Sequence, residues 1–103
     1  MSYVVTLSKE ADAEILSILS YIAALSQSHD TALKALERFE SALTQWANAP
    51  HSGSLPRYAS RIRRGYRVLI VDKYFLFHTI DDATGRIIIH HIFDSRTAYQ
   101  QKL

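Results

Sequence analysis

Apolar and polar residues along the chain change rhythm twice, and the changes divide it into a strand, two helices and a run of strands. Tyr3-Val4-Val5-Thr6-Leu7 is β-branched and aromatic and predicts a strand. Ser8 then offers an N-cap, with Glu10, Asp12 and Glu14 suited to the positive end of a following helix. Ala11, Ile15, Ile18, Ile22 and Leu25 recur at steps of three and four, which predicts one buried helical stripe. Ser26-Gln27-Ser28-His29 breaks the pattern, and Ser28 or Asp30 can cap a second helix whose stripe is Leu33, Leu36, Phe39, Leu43 and Trp46. So short a break predicts an antiparallel helical hairpin.

Pro50 to Pro56 is turn-rich and ends the helical rhythm. Beyond it, Ile62 to Val71, Tyr74 to Ile80 and Arg86 to Phe93 read as extended runs, joined by hairpin turns at Asp72-Lys73 and Asp81 to Gly85. The tail from Ser95 to Leu103 is polar and suits at most a short helix. The expected fold is α+β in class, a single domain over residues 1–103. It has an N-terminal strand, an antiparallel helical hairpin and a three-stranded antiparallel meander. The helices pack on one sheet face and leave the other for function.

Composition narrows the chemistry. At 48% hydrophobic and 21% charged residues the chain can bury a core and is unlike a disordered segment. The absence of cysteine removes disulfides, thiolate metal sites and cysteine nucleophiles, and suits a reducing cytoplasm. The first residues carry neither a basic leader nor a membrane-length apolar run, so a cytoplasmic protein without membrane contact is expected.

The net charge of +2 conceals a division. Residues 1–50 hold three bases against six acids, a net of −3, while residues 51–103 hold nine bases against four acids, a net of +5. The second half is therefore the expected partner-facing half, and an acidic partner is implied. Its densest stretch is Arg57 to Arg67, five arginines in eleven residues with Tyr58 and Tyr66 among them. Strand alternation would place Arg61, Arg63 and Arg67 on one face, opposite Ile62, Tyr66, Val68 and Ile70. Arg64 departs from that alternation unless Gly65 bends the chain. Guanidinium groups suit phosphate or carboxylate partners, although a charge run is also what an ordinary solvated face looks like.

Histidines offer less. His90 and His91 are adjacent in a strand and should point to opposite faces, which argues against a shared metal ion. His78 can share a face with one of them and act as a general base, although a lone histidine on an apolar strand is more often part of a core. No metal site, nucleophilic triad or phosphate-binding glycine loop is present in the sequence pattern, and no cofactor is expected. Trp46 reads as core. After the last strand come Asp94, Arg96 and Tyr99. Asp94 either pairs with Arg96 or caps the tail, and the rim of a sheet is a common place for partner contacts.

Taken in order, these segments resemble the RelE/ParE toxin superfamily of type II toxin–antitoxin systems over nearly the whole chain. The resemblance rests on Leu7 to Ile15, Tyr21-Ile22, the Ala47 to Gly53 turn, Tyr74 to Asp81 and Ile89 to Arg96. It implies a toxin held by a cognate antitoxin, and one of two activities. RelE-like relatives cut messenger RNA on the ribosome, whereas ParE-like relatives poison DNA gyrase, and the latter are associated with plasmid stabilisation. Where RelE-like enzymes carry a catalytic arginine early in the third strand, this chain has Phe75, which removes a charge such an RNase needs. That loss outweighs a departure on the other side, since many ParE-like chains carry histidine where Phe93 stands. The resemblance is therefore closer to ParE-like members. It implies target binding by Arg61, Arg63, Arg64, Arg67, Arg96 and Tyr99, with no catalytic residues. In the endoribonuclease alternative, with ribosome and messenger RNA as partners, His78 or His90 with Arg61, Arg63, Arg67 and Arg96 would carry the chemistry. A homodimer is compatible with either reading.

Overall fold

In the computed structural model, residues 2–52 and 65–94 are described. They form β1 (Val4–Leu7), α1 (Lys9–Ser26), α2 (His29–Asn48), a 3-10 turn (Pro50–Ser52), β2 (Arg67–Val71), β3 (Tyr74–Asp81) and β4 (Arg86–Asp94). The order is the expected one, and β2, β3 and β4 make the expected antiparallel meander. The pattern alone left β1 unplaced. It lies parallel to β4 with Val4 opposite Arg86 and Leu7 opposite Ile89, so the sheet order is β1-β4-β3-β2. The second strand, expected from Ile62, begins among the described residues at Arg67, because Gly65 at φ 80° makes a turn just before it; Ile62 itself and the tail from Ser95 lie outside the described residues.

Local chemistry explains the boundaries. Ser8 Oγ accepts from Ala11 N at 3.0 Å and Ser28 Oγ from Thr31 N at 3.2 Å, which satisfies amides that the first helical turns leave open. Of the two candidate caps for α2, Ser28 serves. Between the helices Gln27 takes a left-handed conformation at φ 55°, the reversal that starts the hairpin. Asp72, also at positive φ, turns β2 into β3. Asp81 Oδ1 accepts from Ala83 N and Thr84 N to shape the longer turn, and Gly85 at φ 66° closes it.

Helices and sheet enclose the main core of Ala11, Ile15, Phe39, Trp46, Val71, Tyr74, Leu76, Ile87, Ile89 and Ile92. Full burial of each large member contributes roughly 1.5–3 kcal/mol. Both helical stripes are corrected in detail. In α2 the inward line is Ala35, Phe39 and Trp46, flanked by half-buried Ala42 and Leu43, while Leu33 is exposed. In α1, Ala11 and Ile15 are buried but Leu25 is 73% exposed, on the wall of an open cleft shared with Tyr74.

The other sheet face carries its own small cluster, buried Val68, Phe77 and Phe93 with half-buried Phe75 against them. Strands apolar on both faces read as near-continuous hydrophobic runs, and Tyr74 to Ile80 does so.

Candidate functional site

The face assigned to β2 is reversed. Leu69 and Val71 join the helix-covered core and Val68 the opposite cluster, while Ile70 is exposed. Arg67, two residues before Leu69 and opposite His78 in register, therefore lies on the helix side. There its Nη2 approaches His51 O at 3.5 Å. The reason is visible in Arg67-Val68-Leu69-Ile70-Val71, which is apolar in both phases of a two-residue period, so alternation cannot choose a face. Arg61, Arg63, Arg64, Arg96 and Tyr99 lie outside the described residues.

His78 belongs to the core. It is fully buried, its ring meets Trp46 edge to face at 4.1 Å between centroids, and its Nδ1 donates to Leu76 O at 3.0 Å. A carbonyl only accepts, so the neutral ring carries its proton on Nδ1 and leaves a bare lone pair on Nε2. Among the described residues that nitrogen has no hydrogen-bond partner. Burial pushes the imidazole down to about 4 against the opposing pull of the Leu76 carbonyl, with Arg67 and His90 lowering it further. Trp46 donates from Nε1 to Pro50 O at 3.0 Å, fixing both the indole and the exit from α2.

His90 lies on the other face. Its Nε2 and Thr79 Oγ1 are 2.9 Å apart, and its ring stands at 82° to Tyr66 with centroids 5.4 Å apart. Burial lowers its pKa first, then the neighbouring His91, while Glu10 raises it.

The expectation that His90 and His91 diverge is overturned. Phe77 pairs with His91 but His78 pairs with Ile89, so His90 is the extra residue of a β-bulge. The bulge breaks alternation, and His91 stacks at 15° on Phe93, a member of the same far-face cluster. The two imidazoles nevertheless form no metal site: among the described residues no group of three histidines, cysteines or carboxylates could hold an ion.

Two polar clusters escaped sequence reasoning. Glu14, expected only to favour the helix terminus, reaches across to β4, where Oε1 accepts from Ile92 N at 2.9 Å and Oε2 from His91 Nδ1 at 3.3 Å. It covers the β4 edge beyond the reach of β1, a role that spacing cannot reveal because the partners are far apart in the chain. At the opposite end, Asp82 Oδ1 accepts from both Tyr3 Oη and His51 Nε2, the latter at 3.0 Å. The Tyr3 bond, then the His51 bond, hold the Asp82 carboxyl below its usual value, and the same contact raises the Tyr3 phenol. This exposed clasp joins β1, the exit from α2 and the β3–β4 turn, and only a motif such as a local turn at His51 could have hinted at it.

A third feature is an apolar cleft of about 640 Å³ at the hairpin tip, where Tyr21, Ile22, Leu25 and Ala35 face Tyr74. Arg38 Nε donates to Asp72 Oδ2 at 2.8 Å across its rim. No described helix is long and apolar enough to cross a membrane.

The family model for the ParE toxin of the type II toxin-antitoxin system, parDE, matches residues 5–99. The fold is similar to that in the chromosomal ParDE toxin–antitoxin system of P. aeruginosa, with TM-score 0.71 and 15% identity, covering 90% of this chain and 96% of that one. It is also similar to the RelBE2 toxin–antitoxin complex from Mycobacterium tuberculosis, with TM-score 0.61 and 18% identity, covering 91% and 99%. No match is found among curated proteins.

Proposed function

The chain belongs to the ParE family of type II toxin–antitoxin toxins, and from that premise we propose that it inhibits DNA gyrase by binding, without bond-breaking chemistry of its own, until a cognate antitoxin silences it. The observation that weighs for this reading over the endoribonuclease alternative is the burial of His78. His78 is sealed under Trp46 on the helix side, while His90 contacts Thr79 and Tyr66 on the other. A general base must reach the proton it removes, which buried His78 cannot do, so the alternative is left with His90 alone. Phe75 adds to this, since it supplies an aromatic packed beside Phe77 where that chemistry needs a cation. An antitoxin partner is supported by the two similar structures, both of toxin–antitoxin systems.

Target binding is assigned to Arg61, Arg63, Arg64, Arg96 and Tyr99, with Arg67 as a support inside the fold. The test is a DNA supercoiling assay run beside cleavage of translated messenger RNA, with the purified chain in both. Gyrase inhibition with intact messenger is the expected result. Messenger cut at the ribosome with gyrase untouched would overturn it and move attention to His90.

A further inference from the structure

We draw no further inference here: the strongest candidate, the apolar cleft where the tip of the α1–α2 hairpin meets the β2–β3 turn, carries nothing, because the Arg38–Asp72 pair already matches charge across its rim and nothing in the structure shows what covers it.

Discussion

Protonating His78 requires a second N–H in a place where Nε2 meets no described acceptor, so acid must act against folding at this residue. The folded pKa of about 4 lies below the ordinary 6.5, so the unfolded chain binds the proton more readily. Stability from this source is complete above pH 6.5 and is lost as pH falls toward 4, by up to about 3 kcal/mol. His90, lowered in the same direction, adds to the slope. Urea denaturation of wild type and His78→Phe between pH 7.5 and 4.5 should show a markedly shallower fall in the variant. An identical fall in both would mean that His78 is not the group being titrated. Trp46→Ala should cost about 3–5 kcal/mol, since it empties a fully buried site and uncovers the same imidazole, which thermal denaturation at pH 7.5 would measure.

Elements were legible wherever one physical signal decided them. The stripe from Ala11 to Ile22, the Ser8 cap and the two hairpin turns each follow from local periodicity or local hydrogen bonding. Faces were legible only where polar residues mark one side. Arg67 to Val71 offers no such mark, and the His90 bulge adds a residue that no two-residue period anticipates. Long-range polar contacts such as Glu14 to Ile92 leave no local trace. Glu14→Ala removes that acceptor from the β4 edge, and a loss of about 1–2 kcal/mol is expected, with faster hydrogen exchange at the Ile92 amide. Glu14→Gln keeps an acceptor and should restore much of that loss; equal losses in both variants would point to charge instead. At the helical reversal, Gln27 holds a left-handed conformation that glycine adopts freely. Gln27→Gly should therefore raise stability by up to about 1 kcal/mol, read as a higher melting temperature.

Over the whole molecule, charge is arranged by sequence halves more clearly than by sheet faces. The described far face presents Phe75, Thr79, His90 and His91 around its apolar cluster, with exposed Arg86 opposite Asp81 at its end, while Lys34, Arg38 and Lys73 are paired with Asp30, Asp72 and Asp94. The expectation of a cationic surface thus rests mainly on Arg61, Arg63, Arg64 and Arg96, which lie outside the described residues. Exposed charges speed association and are screened by salt. Arg61→Ala, Arg63→Ala and Arg64→Ala combined should raise the concentration needed for half-inhibition of supercoiling by tenfold or more, roughly 1.4 kcal/mol, and flatten its salt dependence. Unfolding should be little affected in that variant, whereas Arg67→Ala should lower stability through its place beside His78. Unchanged inhibition by the triple variant would remove these arginines from the target contact.

The parallel seam between β1 and β4 sets the timing of assembly. Val4 is made long before its strand neighbour Arg86, so the nascent chain can wind its hairpin early but cannot shut the sheet until Arg86 to Ile89 has left the ribosome. Until β4 emerges, the sheet of this chain lacks both its parallel seam and the surface built across it.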